Sequence, residues 1–232
     1  MGSVRGDRLP LTRDKEREVG RARLLDVNMK RIGLILLTTN TALFIISLSL
    51  SLVILFRPFY YFHINYLNLE QYGYTYNEIK ESYDDVMDYL VLNKEFKIGN
   101  LKYSESGKNH FHDCKILFMI NFIVLFISSF IVILKRKYLK ENNIFFFSSI
   151  IIISLFLILL ITSLIIGFDK FFDLFHYIFF LGKDNWLLNP NEDEIINLLP
   201  KEYFCNCGIL FLLITSIIPV INIIKYLYKK RS

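Results

Sequence analysis

Four long stretches of the sequence contain no Asp, Glu, Lys, Arg or His. They cover residues 32–56, 116–134, 144–168 and 205–224 and are 19 to 25 residues long. A helix of about 20 apolar residues crosses roughly 30 Å of hydrocarbon. The sequence therefore predicts an all-α integral membrane protein with four transmembrane helices. This pattern, with 53% hydrophobic residues, excludes a disordered chain, an ordinary soluble domain, a coiled coil and a nucleic-acid-binding protein.

The charges between these stretches alternate in sign along the chain. Residues 1–31, 135–143 and 225–232 carry 17 Lys and Arg against 6 Asp and Glu. Residues 57–115 and 169–204 carry 10 Lys and Arg against 16 Asp and Glu. Because short loops rich in Lys and Arg stay in the cytoplasm, we expect both termini and the turn at 135–143 to be cytoplasmic. Residues 57–115 and 169–204 are then two extracytoplasmic loops.

The first 28 residues differ in composition from the rest of the chain. They contain six Arg and one Lys, whereas residues 29–232 contain four Arg and sixteen Lys. We interpret residues 1–28 as a leader added to the natural protein, with a genuine basic arm as the alternative. The functional domain is then residues 29–230.

The first outer loop carries signals of local structure. Thr75 and Glu78 have the spacing of a capping box, which predicts the start of a helix. Apolar residues then recur with helical spacing at Ile79, Tyr83, Val86 and Leu90. This pattern predicts an amphipathic helix that lies on the outer leaflet. Residues 96–103, with Gly and Asn in the middle, weakly favour a hairpin.

The second outer loop contains an apolar run and a helix signal. Residues 171–180 are almost entirely apolar or aromatic. Asn189 and Pro190 have the residue types of an N-cap and a first helical position, and this helix should end before Pro200. We expect the two structured loops to form a cap over the four helices, with a cavity at the outer membrane surface that could hold a lipid.

All four histidines lie in these outer segments, and the sequence around three of them is of interest. His110, His112 and Asp113 come just before the second span, and His176 lies in the aromatic run after the third. We therefore expect His110 and His176 to lie at similar membrane depth. None of the four spans carries an ionisable side chain of the kind that proton pumps, voltage sensors and ion-coupled carriers need.

Three hypotheses account for the histidines. In the first, a histidine is a general acid or base whose ring Asp113 or Asp184 orients. In the second, His110, His112, Asp113 and His176 bind a metal such as zinc, although no H-E-x-x-H pattern is present. In the third, the histidines only pack at the interface.

The search for a nucleophile is mostly negative. No G-x-S-x-G pattern is present, and three cysteines do not make a disulfide framework. Cys114 follows Asp113 at the start of a span, where a packing role is favoured over a reactive one.

Two short motifs resemble those of the lipoprotein intramolecular transacylase family of Gram-positive bacteria. Residues 110–115 are similar to that family's His-Met-x-Asp-Val-Lys pattern, with Phe111 and Cys114 in place of Met and Val, and residues 175–180 match its Phe-His-x-x-Phe-Phe pattern. Segments 79–90, 186–190 and 193–200 also resemble the family. The resemblance covers about residues 29–230.

The resemblance implies an enzyme of the cell membrane that acts on its outer side. Its substrate would be a lipoprotein whose N-terminal cysteine bears a diacylglyceryl group, and the sn-2 acyl chain would move to the α-amino group of the same cysteine. His110 and His176 would be the catalytic pair, and no cofactor and no metal would take part. Five further residues are candidates for binding or orientation: Asp113, Lys115, Tyr177, Asp184 and Trp186. Expected partners are such lipoproteins and membrane lipids. The alternative is a non-enzymatic four-span adaptor whose outer domain binds another protein.

Overall fold

Four long helices form the membrane-spanning part of the protein. The computed structural model describes residues 13–231, and within that range the regular structure is helical. The long helices are α1 (Arg13–Leu55), α4 (Glu105–Glu141), α5 (Ile144–Ile166) and α8 (Lys201–Arg231). Each is long and apolar enough to span a bilayer. The four predicted spans and the all-α membrane class are confirmed, and α1, α4 and α8 extend several turns beyond the uncharged stretches.

The proposed leader falls partly outside the described residues. Residues 1–12 lie there, whereas residues 13–28 continue α1 without a break. Residues 17–28 are exposed throughout. The interpretation of residues 1–28 as a leader stays a prediction.

The membrane-spanning helices pack against one another through apolar side chains and a few interhelical hydrogen bonds. α1 lies against α4, α5 and α8, and α5 packs along α8. Ala42 and Ile45 of α1 contact Ile152 and Phe156 of α5. Asn121 of α4 donates a hydrogen bond to Ser51 of α1, and Asn222 of α8 donates one to Ser149 of α5. Such interhelical hydrogen bonds stabilise membrane bundles because lipid offers polar groups no partner.

Short helices form a cap at one end of the bundle. They are α2 (Arg57–Tyr66), a 3-10 turn (Leu69–Tyr72), α3 (Tyr76–Leu92), α6 (Phe168–Phe179) and α7 (Ile195–Leu198). The main apolar core lies in this cap, where α2, α3, α7 and the first turns of α4 and α8 meet. Tyr60 stacks on Tyr83 and donates a hydrogen bond to the Leu198 carbonyl.

Helix α3 begins as the sequence predicts, but its apolar face has a different partner. The Thr75 side chain accepts from the backbone N–H of Glu78, and the Glu78 carboxylate accepts from the Thr75 N–H, which completes the capping box. Ile79, Tyr83 and Val86 are buried in the cap core. The expectation that this face lies on the outer leaflet is therefore wrong, because the cap itself covers it.

The segment 96–103 does not form the expected hairpin. It contains one isolated bridge between Ile98 and Asn100. The backbone N–H of Gly99, where φ is +57°, donates instead to the Asp85 carboxylate of α3. Because α3 takes this hydrogen bond, the segment packs on the helix rather than on a second strand.

The predicted helix after Asn189 is much shorter than expected. Residues 189–194 form turns in which the Asn189 carbonyl accepts from the N–H groups of Glu192 and Asp193. α7 then covers only Ile195–Leu198, and it ends before Pro200 as predicted. The reason is that Asp193 and Glu194 bond to residues 102–104 rather than to a continuing helix.

These bonds hold the beginning of α4 in place. The Asp193 carboxylate, 2% exposed, accepts from the Ser104 N–H at 2.8 Å and from the Ser104 hydroxyl. The same hydroxyl accepts from the Gly107 N–H and so caps α4. The segment between α6 and α8 thereby sets where the first turns of α4 lie.

A glycine interrupts the helix between α5 and α6. Gly167 has φ +83°, a conformation that residues with a side chain rarely adopt. α6 therefore leaves the line of α5. Its Asp169 pairs with Lys201 at the start of α8, and the Lys201 ammonium also lies over the Phe172 ring. α6 is thus fixed against the cap end of the bundle.

Candidate active site

His110 lies in the second turn of α4, on the side that faces α6. The ring is buried, at 9% exposure. Its Nε2 atom lies 3.5 Å from the Cys114 thiol, one turn along the helix. Its Nδ1 atom is buried and has no hydrogen-bond partner among the described residues.

His176 lies near the end of α6 and is held by its own helix. Its Nδ1 atom is 2.8 Å from the Phe172 carbonyl oxygen. A carbonyl only accepts, so Nδ1 carries the proton of the neutral ring and Nε2 keeps its lone pair. Nε2 makes no hydrogen bond to a described residue. Burial lowers the pKa of His176, although the bond to Phe172 opposes this shift. The neutral ring therefore predominates at pH 7.

The two rings face each other across a small aromatic site. Their centroids are 6.0 Å apart. Phe180 contacts both rings, at 4.8 Å from His110 and 5.5 Å from His176. Trp186 also stacks on His176 at 4.5 Å. The apolar walls favour neutral imidazoles, and a neutral imidazole has a lone pair that can accept a proton.

Asp113 lies one turn after His110 and holds the loop that follows α6. Its carboxylate accepts from the Lys183 ammonium at 2.8 Å and from the Asn185 amide at 2.9 Å. It bonds to neither histidine. Asp113 therefore fastens the loop between Phe180 and Trp186 to α4, and in the described residues no carboxylate orients either ring.

The remaining predicted site residues divide into near and distant ones. Trp186 contacts His176 directly. The Lys115 ammonium lies over the Tyr89 ring at 4.3 Å, on the cap side of α4. Tyr177 and Asp184 are exposed, and the Tyr177 carbonyl accepts from the Gly182 N–H in the same loop.

The other two histidines lie away from the pair. His112 is exposed and contacts the Tyr89 hydroxyl through Nδ1. His63 is buried in α2, where it bonds to the Phe59 carbonyl and to Asn206. The zinc hypothesis needs His112 beside His110 and His176, and this geometry does not supply it. Within residues 17–231 no group of three His, Cys, Asp or Glu side chains could hold a metal ion.

Three contributors to the site were not singled out from the sequence. Phe180 follows His176 by four residues, so helical spacing could have identified it. Lys183 and Asn185 reach the site only through Asp113, about 70 residues earlier. No local pattern signals such a contact.

Comparisons with known proteins point to one family. The family model for the lipoprotein intramolecular transacylase Lit matches residues 35–204. The chain is similar to the solved structure of the membrane-integral lipoprotein intramolecular transacylase Lit from Bacillus cereus, with 28% sequence identity and a TM-score of 0.78. The match covers 88% of this chain and 98% of that one.

A variant of the same Bacillus cereus protein, with one histidine changed to alanine, is also similar. It has 28% identity and a TM-score of 0.76 over 90% of this chain and 99% of that one. Comparison with curated protein sequences gives no match. Since the family model spans well over half of the sequence and includes both histidine motifs, the chain belongs to the lipoprotein intramolecular transacylase (Lit) family.

Proposed function

We propose that this protein is a lipoprotein intramolecular transacylase of the bacterial membrane that converts diacylglyceryl lipoproteins to their lyso form. The observation that carries the proposal is the pair of buried rings of His110 and His176, 6.0 Å apart between two outer segments. Family membership favours an acyltransferase over the adaptor alternative.

The reaction needs two proton movements and no external nucleophile. The α-amine of the N-terminal cysteine attacks the carbonyl carbon of the sn-2 ester, and a C–N bond forms. The C–O bond to glycerol then breaks, and the glycerol oxygen takes a proton while the nitrogen loses one. Amine and ester belong to one molecule, so holding them together supplies a large effective concentration. A serine or cysteine nucleophile is not required.

His176 is the better candidate for the general base. Its Nδ1 proton is tied to the Phe172 carbonyl, so Nε2 offers a lone pair to the attacking nitrogen. The lowered pKa keeps this lone pair available at neutral pH. The protonated ring can then return the proton to the glycerol oxygen.

His110 fits the complementary task. Its Nδ1 atom is buried and unpartnered. When Nδ1 carries the ring proton, it can donate a hydrogen bond to the ester oxygen, which becomes negative as the amine attacks. A donor in an apolar site stabilises such an oxyanion more than water does.

Exposed apolar residues around α6 suit a lipid substrate. They lie on the helix and on the loop after it: Phe175, Tyr177, Ile178, Phe179 and Leu181. Leu181 is 89% exposed. An acyl chain could therefore remain in contact with apolar surface while its ester reaches the histidines.

The proposal is tested with a diacylglyceryl peptide whose sn-1 and sn-2 chains differ in mass. Purified protein should produce an N-acyl peptide that carries only the sn-2 chain, detected by mass spectrometry. His110→Gln and His176→Gln should each lose activity by about 10²–10⁴-fold. Because the two act as a unit, the double variant should be scarcely worse than either single one.

Two matched controls separate this mechanism from others. His112→Gln changes an exposed histidine two residues from His110 and should remain active. Cys114→Val should also remain active, because the acyl group does not pass through the thiol. Full activity of His110→Gln or His176→Gln would refute the assignment. Absence of any N-acyl product with the unaltered protein would leave the adaptor alternative.

A further inference from the structure

Two buried polar atoms near the histidines have no hydrogen-bond partner. Among the described residues, the buried side-chain nitrogen and oxygen atoms without one are Nδ1 of His110 and Oδ1 of Asn185. A buried polar atom left unpaired costs about 1–3 kcal/mol. Such atoms therefore indicate where another molecule supplies the missing partner. His110 already has a role in the proposed reaction, whereas Asn185 has none.

The orientation of the Asn185 amide is fixed by chemistry. Its Nδ2 donates to the Asp113 carboxylate at 2.9 Å, and only the NH₂ group of an amide can donate to a carboxylate. Oδ1 must then be the unpaired atom. It accepts hydrogen bonds only, so its missing partner is an N–H or O–H donor.

Asn185 lies between two residues that are close to the histidines, Asp113 and Trp186. Asp113, which binds its amide, lies three residues after His110 on α4. Trp186, which follows it, stacks on His176 at 4.5 Å. Lys183 pairs with the same Asp113 carboxylate and offsets its charge. The loop thus holds Asn185 between Asp113, on the helix of His110, and Trp186, which contacts His176.

We infer that Oδ1 of Asn185 binds the α-amino group of the substrate's N-terminal cysteine, and that Asp113 is the positioning residue for this amide. The inference rests on the proposed function. A diacylglyceryl peptide offers one strong donor near its reacting ester, and that donor is the amino group. One N–H is held by Oδ1, which directs the nitrogen lone pair away from Asn185.

Binding of unreactive analogues tests the inference apart from catalysis. The ligands are two dialkyl-ether glyceryl peptides, which lack the reactive ester. One carries the free α-amino group, and in the other this group is replaced by hydrogen. The full-length protein in detergent should bind the amino ligand about tenfold more tightly, which is the effect of one hydrogen bond.

Substitution of Asn185 should remove this preference alone. In Asn185→Leu the two ligands should bind with nearly equal affinity, while affinity for the ligand without the amino group stays unchanged. Asn185→Ser, which cannot reach the same position, gives the same test with a smaller change to the loop. Asp113→Leu should reduce the preference as well, since the amide is then free to turn. Asn109→Leu, an exposed position on α4, is the matched control and should keep the preference.

The possible outcomes point to different errors. Equal affinity of the two ligands for the unaltered protein overturns the Asn185 inference and leaves the proposed function intact. A preference that persists in both Asn185 variants also overturns it. Failure of the unaltered protein to bind either ether ligand shows instead that the proposed substrate class is wrong.

Discussion

Replacing Gly107 with alanine should destabilise the protein and disturb the proposed catalytic pair, His110 and His176. A Cβ atom at this position would lie 2.9 Å from Cγ of Asp193 and closer still to its Oδ1. Ordinary van der Waals contacts of Cβ atoms are 3.4–4 Å. The Asp193 carboxylate would have to move, and it would lose its bonds to the N–H and hydroxyl of Ser104, which are 2.8 and 2.9 Å long.

The expected magnitude follows from these contacts. Two hydrogen bonds to a charged acceptor contribute about 1.5–3 kcal/mol each. Alanine in place of glycine favours a helix by about 1 kcal/mol. The net loss in free energy of unfolding is therefore roughly 2–5 kcal/mol. At about 2–4 °C per kcal/mol, Tm should fall on the order of 10 °C. Activity should fall too, because His110 lies one turn after Gly107.

The measurement is thermal unfolding in detergent, followed by tryptophan fluorescence. Trp186 is the only tryptophan of the chain, and it stacks on His176, so the signal reports on the site itself. Gly208→Ala is the matched control, because no heavy atom lies within 4 Å of a Cβ there. If Gly107→Ala is as stable and as active as Gly208→Ala, the account of how Asp193 fixes α4 is refuted.

Three further predictions concern pH, orientation and the leader. Because burial lowers the pKa of His176, NMR titration of its ring in the substrate-free protein should give a pKa below the ordinary imidazole value of about 6.5; a value above 6.5 would contradict a buried, neutral base. A cysteine at Lys80 should react with an impermeant maleimide from outside intact cells and one at Lys137 only after lysis, and the reverse result would contradict the charge-based orientation. Deletion of residues 2–28 should leave insertion and transacylation unchanged, because Lys30 and Arg31 still flank the first span. Membrane fractionation measures insertion, and mass spectrometry of lipoprotein N-termini measures transacylation. A protein that inserts but is inactive would show that residues 2–28 have a function.

The parts of the fold that the sequence predicts well depend on residue patterns within single segments of the chain. The four spans follow from runs of apolar residues, since lipid leaves the backbone no alternative to a helix. The start of α3 follows from Thr75 and Glu78, whose reciprocal bonds involve residues three apart. The two histidine motifs likewise lie within short segments.

The errors arise where distant residues compete with local preference. Gly99 donates to Asp85 rather than to a hairpin partner. Asp193 accepts a hydrogen bond from Ser104, and the helix expected after Asn189 is therefore shorter. Asn185 illustrates the same limit at the site, because its role depends on a carboxylate 72 residues away. None of these contacts leaves a trace in the neighbouring sequence.

The unbroken length of α4 has a consequence for where the reaction occurs. The helix runs for 37 residues from Glu105 to Glu141, about 55 Å, whereas the hydrocarbon core is roughly 30 Å thick. His110 precedes the apolar stretch by six residues, so it stands about 9 Å above the edge of that stretch. The polar interface on each side of the hydrocarbon is roughly 5–8 Å deep, so this level lies at the outer limit of the lipid headgroups. In the proposed reaction the sn-2 ester must therefore rise out of the hydrocarbon to meet the histidines, and the length of α4 beyond its apolar stretch sets how far.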